Sequence, residues 1–201
     1  MAGANDSEAV VEALKADYDL SSFVNKWFDE FGINLGVHQY RELELFHRIV
    51  IRRGESNLDL DLPDVGFGVS QVLPVIVQGY LAPTDSITLV EQPEVHLRPV
   101  MQAKLADLFC EMIKLKTNGL KHPTRAYIVE THSEYFLNRL RALIALKSLD
   151  HKLVRIYSVE EAEKSGGSSI KMHAVAEGGA FKWPRHFIDA DIENTKIYME
   201  S

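Results

Sequence analysis

The sequence predicts an α/β fold in which a mostly parallel sheet is flanked by helices. Short apolar runs at 87–90, 125–130 and 153–159 alternate with helical patterns at about 97–116 and 131–146. Strands that alternate with helices at this spacing indicate βα units. With 201 residues, of which 46% are hydrophobic, the chain is long enough for one domain with a real core, or for one large piece of a bigger domain.

The segment before residue 63 predicts helices followed by a hairpin. Helices are expected at 8–17 and 21–31, and the second has aromatic residues at helical spacing, which predicts a buried face: Phe23, Trp27, Phe28 and Phe31. Residues 43–52 have the β-branched and aromatic content of a strand. Leucines alternate with aspartates at 57–62, which predicts the partner strand.

A glycine-bearing loop at 64–68 precedes the next predicted helix. Ser70 is expected to open this apolar helix, which extends to Leu81 and holds Pro74 in its first turns, where proline is better tolerated. Residues 168–175 predict a further strand near the end of the chain.

Composition and charge limit the class of protein. The net charge of -7 argues against a surface made wholly for nucleic acid. The single cysteine, Cys110, rules out an internal disulfide framework and fits a reducing compartment. No apolar run approaches the roughly 20 residues that span a bilayer, and the N-terminus lacks the pattern of a signal peptide. These features predict a soluble, cytoplasmic protein without a membrane partner.

Polar clusters follow two of the predicted strands, EQPEVH at 91–96 and ETHS at 130–133. Ligands of open α/β sheets bind at the carboxyl ends of the strands. Glu91 is therefore placed to hold a hard metal ion, most plausibly Mg²⁺. Three neighbours are of the types that orient an attacking water and contact a γ-phosphate, namely Gln92, Glu94 and His132.

A second candidate for phosphate binding is the stretch GFGVS. It places Gly68 and Ser70 at a predicted helix N-terminus, where free N–H groups and the helix dipole favour anions.

Each of these signals also has a structural alternative. Glu91 could cap a turn, and His96 and His132 could make structural hydrogen bonds at helix starts. The glycines and Ser70 could form only a loop and an N-cap. The order and spacing of the signals on alternating strands and helices favour the functional interpretation.

The motifs resemble, in their order, those of a known family. VGFGVSQVLPVI resembles an ABC signature motif, with Ser70 and Gln71 in its serine and glutamine places. ITLVEQ is similar to Walker B, PEVHLRP to the adjoining D-loop, and YIVETHSEYFLNRLR to the switch strand, with His132 as the switch histidine. Over roughly residues 20–190, the chain resembles the C-terminal half of an ABC-type ATPase of the SMC-related kind, especially the bacterial OLD-like and related AAA-type ATPases.

Two departures from the family pattern bear on activity. The sequence contains no GxxxxGK[ST], so the Walker A loop that wraps the α- and β-phosphates is absent from it. The residue after the Walker B acid, which is the catalytic glutamate in the family, is Gln92. A glutamine can orient water but is a poor general base, which predicts slow hydrolysis or a contribution from Glu94.

The resemblance implies a composite ATP site. ATP and Mg²⁺ would be the cofactors. Gly68, Ser70 and Gln71 of the signature region would bind nucleotide across a head dimer, and His96 of the D-loop would also take part in nucleotide binding. A Walker A-bearing polypeptide would complete the site. The resemblance further implies a C-terminal lobe of an ATPase head over 41–201 and a remnant of the insertion arm over 1–40. It also implies DNA-linked work, with anti-phage defence as one form of it.

Other functions compete with this interpretation. A non-catalytic interaction or regulatory module would also fit Gln92 and the absent Walker A loop. A metal-dependent nuclease could use Asp189 and Asp191, although DxD spacing is common by chance. A basic edge for DNA could be formed by Lys114, Lys116, Lys121 and Arg125, but a solvated helix end is the favoured explanation of these residues.

Overall fold

The computed structural model describes most of the chain in seven stretches: 18–33, 36–42, 46–52, 59–83, 85–115, 125–161 and 166–183. The chain divides into two compact units, Met1–Leu137 and Asn138–Ser201. The predicted helix at 8–17 lies outside the described residues, as does the predicted nuclease pair Asp189 and Asp191.

The described elements confirm a mixed α/β fold. The helices are α1 (Tyr18–Glu30), α2 (Phe67–Leu81), α3 (Pro99–Met112) and α4 (Glu134–Ala145), with short 3-10 turns at Leu62–Val65 and His151–Leu153. The strands are β1 (Gly36–Glu42), β2 (Phe46–Arg52), β3 (Asp59–Asp61), β4 (Ile87–Glu91), β5 (Ala126–Glu130), β6 (Ile156–Glu161) and β7 (Ser168–His173). The boundary between the two units falls within α4.

An antiparallel sheet with the order β1-β2-β3 precedes the parallel strands. The predicted hairpin is confirmed as the pairing of β2 with β3, in which Ile51 lies opposite Leu60. Strand β1 was not predicted, because its sequence GVHQYRE is largely polar and its extended form is set by pairing with β2. It also crosses residue 40, where the sequence places a domain boundary, and that boundary stays a prediction.

Helix α1 supplies much of the core of the first unit. Its buried residues recur at a spacing of three and four, so one face is removed from water: Leu20, Phe23, Val24, Trp27, Phe28 and the following Phe31. The Phe23 ring packs 5.0 Å from the Tyr80 ring of α2. The predicted aromatic stripe is therefore confirmed as core.

Helices α2 and α3 meet at a glycine. Gly79 of α2 is buried, and a Cβ built on it would overlap the Sδ of Met112 on α3. The Tyr127 hydroxyl of β5 donates to the Gly79 carbonyl at 3.0 Å, and burial raises the pKa of Tyr127 above its usual 10.0. A side chain at position 79 would therefore displace Met112 from a fully buried site.

Strands β4 and β5 form the parallel pair that the sequence predicts, in a register that joins Ile87 to Ala126 and Glu91 to Glu130. Side chains alternate between half-buried and exposed along both strands. The exposed face carries Ile87, Leu89 and Ile128, which are 63%, 72% and 57% exposed. Parallel strands are ordinarily covered on both faces. This apolar face is therefore unusual for such a pair.

The second unit contains an antiparallel hairpin of β6 and β7. The segment between Glu161 and Ser168 is too short for the crossover that a parallel connection needs. On the inner face, the Ser158 hydroxyl lies 2.8 Å from Nε2 of the buried His173. Within the described part of the chain, no helix has both the length and the hydropathy needed to cross a bilayer.

Candidate active site at the carboxyl ends of the parallel strands

The carboxyl ends of β4 and β5 bring two glutamates side by side. Glu91 and Glu130 are the last residues of their strands, are paired in register and are both exposed. Gln92 continues the ladder, because its backbone N–H donates to the Glu130 carbonyl at 2.9 Å. Sequence reasoning singled out Glu91 and Gln92 but missed Glu130. Its position as the last residue of the neighbouring predicted strand was the signal that could have identified it.

The turn after β4 has an unusual backbone. Gln92 has φ 44° and His96 has φ 63°, so two non-glycine residues of this turn adopt the left-handed region. Such conformations cost on the order of 1–3 kcal/mol each and cluster at functional sites. The turn is closed by hydrogen bonds from the Val95 N–H to the Gln92 carbonyl and from the Leu97 N–H to the Glu94 carbonyl. The Gln92 side chain is directed towards β5, where its Nε2 lies 3.4 Å from Glu130 Oε1.

Glu94 faces the protein interior. Its side chain is only 7% exposed, and its Oε1 accepts a hydrogen bond from the backbone N–H of His132 at 2.7 Å. Its other oxygen, Oε2, has no donor within reach in the described part of the chain. Glu94 therefore ties the turn after β4 to the segment after β5, while the His132 side chain itself is exposed.

A second link joins the same two segments through Gln102 of α3. Its Nε2 donates to the Leu97 carbonyl at 2.9 Å, and its Oε1 accepts from the Ser133 hydroxyl at 2.7 Å. Ser133 in turn caps α4, since its Oγ accepts from the Phe136 N–H at 3.1 Å. Both polar ends of the Gln102 amide are thus used. Sequence reasoning missed Gln102, although it lies only three residues after the predicted D-loop, in the first turn of α3.

Helix α2, which carries the predicted signature region, begins at Phe67, three residues before the predicted start. The break before it is at Gly66, whose φ of 91° suits a glycine. The Ser70 hydroxyl donates to the Phe67 carbonyl at 3.0 Å instead of capping the helix. The prediction that Ser70 opens the helix is therefore wrong, as is the N-cap alternative. Pro74 lies in mid-helix, where it has no N–H to donate to the Ser70 carbonyl.

The start of α2 packs closely against the turn after β4. A Cβ on Gly68 would lie 3.2 Å from the His96 carbonyl oxygen, and the Phe67 and His96 rings are 5.4 Å apart. Both of these side chains are exposed, and Gln71 is half-buried. Because Gly68 has no side chain, the predicted signature helix can contact the predicted D-loop of the same chain.

The charged residues bear on two predicted ligands, a metal ion and DNA. In the described stretches, no group of three or more His, Cys, Asp or Glu side chains could hold a metal ion alone. An exposed carboxylate at a strand end does suit Mg²⁺, which proteins commonly bind through one or two carboxylates together with substrate phosphates. Of the predicted basic edge, Lys116 and Lys121 lie outside the described residues, and Arg125 is half-buried.

Comparison with known proteins gives one family. The profile described as "AAA ATPase domain" matches residues 5–137, which is more than half of the chain. No curated protein matches the sequence.

Solved structures give the same fold. A structure described as "Structural biochemistry of ATP-driven dimerization and DNA stimulated activation of SMC ATPases" is 14% identical, with 96% of each chain covered and a TM-score of 0.54. An SMC head bound to the C-terminal winged-helix domain of ScpA is 14% identical over 78% of this chain, with a TM-score of 0.54. An SMC head with an extended coiled coil, bound to the C-terminal domain of ScpA and derived from Pyrococcus furiosus, is 12% identical over 90%, with a TM-score of 0.52. The chain spans 42% and 37% of the length of these last two. The fold is that of an SMC ATPase head.

Proposed function

The chain belongs to the AAA ATPase domain family, and we propose that it supplies the signature, Walker B and switch-histidine segments of a composite ATP site. A Walker A loop would complete the site, carried either by a second chain or by a further segment of the same protein. We assign the chain to the OLD-like branch on its motif order, VGFGVSQ, ITLVEQ, PEVHLRP and YIVETHS.

One observation carries this proposal: the edge at which β4 and β5 end. Their register places Glu91 and Glu130 side by side, with Gln92 and the His132 segment next in the chain. The apolar face of the same two strands is exposed. A functional edge beside an uncovered face is what one part of a larger ATPase head would present, because the remaining part would cover the face and bring the phosphates to the edge.

The residues at this edge have distinct roles in the proposed site. Glu91 would hold Mg²⁺ together with phosphate oxygens, and the ion would supply charge neutralisation for phosphoryl transfer. Gln92 would orient the attacking water through its amide oxygen, and the exposed imidazole of His132 would donate to the γ-phosphate. Glu94 is bonded to the His132 backbone, which supports a role in holding the switch segment in addition to the direct role predicted from sequence.

The signature side of the proposed site faces a second head. The first N–H groups of α2 have no partner within the helix, and this end of the helix carries partial positive charge. Ser70 lies in that first turn and Gln71 directly after it. Both would contact the nucleotide of the opposite head, with Gly68 and His96 shaping the approach. ATP would thus bring two heads together, in keeping with the ATP-driven dimerization for which the similar SMC ATPase structure is described.

DNA-linked anti-phage defence is the biological setting that we propose. It is supported by the OLD-like motif order and by the fold shared with an SMC ATPase described as having DNA-stimulated activation. A cytoplasmic location is consistent with the composition.

A non-catalytic module is the second candidate, and Gln92 is the observation that favours it. An amide cannot take a proton from water as a carboxylate does, so a site with Gln92 could bind nucleotide and dimerise without turnover. The two candidates differ in whether bound ATP is hydrolysed.

Purification of the chain from its native source, followed by mass spectrometry and an ATPase assay, tests the proposal. We expect a bound segment carrying GxxxxGK[ST] and a turnover that falls at least about 100-fold on Glu91→Ala or His132→Ala. Glu177→Ala, a change of an exposed acid in the second unit, is the control. ATP-dependent dimerisation without turnover would favour the non-catalytic module. A chain that neither binds ATP nor recruits such a segment would overturn both.

A further inference from the structure

We infer that Glu130 is a positioning residue that fixes the orientation of the Gln92 amide in the ATPase reaction, an inference that rests on the function proposed above. The family pattern has a glutamate where this chain has Gln92. The difference matters for geometry as well as for basicity. The two carboxylate oxygens are equivalent, whereas an amide has one acceptor side and one donor side. An amide that orients water must therefore be held the right way round.

Three contacts place Glu130 for this purpose. Its strand pairs in register with β4, so its Cα lies opposite that of Glu91. Its carbonyl accepts the Gln92 N–H at 2.9 Å, which fixes the backbone of Gln92 at the strand end. Its Oε1 lies 3.4 Å from Gln92 Nε2. The left-handed φ of 44° at Gln92 belongs to the same arrangement, in which the chain turns at the strand end and the side chain lies towards β5.

Only one orientation of the amide is compatible with this neighbour. With Nε2 towards Glu130, an N–H donor meets a carboxylate acceptor. With the amide reversed, Gln92 Oε1 would face the carboxylate, and two acceptors would meet without a hydrogen between them. Since one side of the amide is committed to Glu130, the other side presents Oε1 for a hydrogen of the attacking water. Glu130 thus acts on the water only through Gln92.

This assignment predicts that the need for Glu130 disappears when position 92 carries a carboxylate. In the native ATPase complex, we expect Glu130→Ala to lower kcat about 10- to 100-fold, because the amide loses its orientation. KM for ATP and ATP binding should change less than about 2-fold, since the side-chain hydrogen bond that the described residues give Glu130 goes to Gln92, a residue proposed to orient water and not to bind nucleotide. The double variant Gln92→Glu/Glu130→Ala should have a kcat at least equal to that of Gln92→Glu alone, because a symmetric carboxylate needs no orientation and the repelling charge of Glu130 is removed.

The measurements are kcat, KM for ATP, ATP affinity by fluorescent-nucleotide titration, and the Mg²⁺ concentration for half-maximal rate. Glu177→Ala serves as the matched control. An unchanged kcat in Glu130→Ala would overturn the inference and leave the proposed function standing. A raised Mg²⁺ requirement, or a failure of Gln92→Glu to rescue, would overturn it by showing that Glu130 binds metal or supports the fold. A native complex that neither binds nor hydrolyses ATP would remove the proposed function, and this inference with it.

Discussion

Gln92 and Glu94 are two residues apart, yet their side chains contact different neighbours. Gln92 points along the strand ends to Glu130, whereas Glu94 is buried against the His132 backbone. The left-handed backbone at Gln92 accounts for the divergence, because it turns the chain between the strand end and Glu94. One short motif therefore contributes one residue to the exposed edge and one to the support behind it.

Replacing Glu94 tests how far its hydrogen bond to the His132 N–H stabilises the protein. Glu94→Ala would leave a partly buried N–H of His132 without its acceptor, and a lost partner of this kind costs about 1–3 kcal/mol. We expect the free energy of unfolding, measured by urea denaturation, to fall by that amount. Glu94→Gln keeps an acceptor oxygen and should lose less. Equal losses for the two variants would show that the hydrogen bond to His132 contributes nothing.

The chemistry of the site residues could be predicted in part from sequence. Glu91, Gln92 and His132 follow apolar runs, and strand ends are where α/β sheets bind ligands. The roles of Glu130 and Gln102 could not be predicted, because they depend on the register between β4 and β5 and on which face of α3 meets the turn. Local pattern contains no information about either. The inward side chain of Glu94 depends in the same way on a tertiary partner.

At the scale of elements, α1 and α3 are joined by two ion pairs. Lys26 pairs with Glu111 and Glu30 with Lys104, each at 2.6 Å. All four side chains are substantially exposed, so each pair contributes only about 0.2–1 kcal/mol. The apolar face of α1 outweighs them, since truncation of one buried large aromatic residue costs about 3–5 kcal/mol. The pairs set the alignment of the helices more than their stability.

The Glu30 pair predicts a pH dependence. The hydrogen bond from Lys104 and its charge, aided by Lys26, lower the pKa of Glu30 below its usual 4.5, against a small opposing effect of burial. A lowered pKa gives stability that is fully present above pH 4.5 and is lost as pH falls through the folded-state pKa. We expect urea denaturation between pH 3 and 6 to show this loss, at no more than about 1 kcal/mol. Lys104→Met should remove the part of this pH-dependent loss of stability that Glu30 contributes, and high salt should do the same.

The packing at Gly79 predicts that the effect of Gly79→Ala on stability has opposite signs in two backgrounds. In the native chain, Gly79→Ala should destabilise, because the new methyl group overlaps Met112 and overpacking costs about 1–3 kcal/mol. In a Met112→Ala background, the overlap is gone and the gain in helix propensity, about 1 kcal/mol, should make the same change stabilising. Thermal unfolding of the four chains gives the cycle. An effect of one sign in both backgrounds would contradict the packing argument.

The elements themselves were largely predictable. Periodicity identified α1, α3 and α4, and short apolar runs identified β4 and β5, because these elements bury one side and alternate regularly. Two features escaped prediction for opposite reasons. Strand β1 is too polar to be recognised without its partner β2. Helix α2 begins three residues before the predicted start, because the non-helical backbone of Gly66 ends just before Phe67.

At the scale of the whole molecule, the exposed face of β4 and β5 makes a prediction about assembly. Leu89→Lys and Ile128→Lys place charge on side chains that are mostly solvent-exposed in this chain, so folding should be unaffected. Binding of the proposed Walker A segment should fall at least about 10-fold, because the charge would be buried on assembly. Leu146→Lys, at an exposed apolar residue after α4, is the control. Unimpaired assembly in both variants would show that the face stays open.

The hydrogen bond between Glu94 and the His132 amide has one more consequence, for isotope exchange with solvent. An amide hydrogen held by a partly buried carboxylate is shielded, so it should take up deuterium more slowly than neighbouring amides that face water. If nucleotide moves the segment after β5, that hydrogen is released and its exchange accelerates. If the segment stays docked, the slow rate persists. Deuterium uptake by a peptide that contains the His132 amide would thus report whether the switch segment moves, without an assay of any reaction.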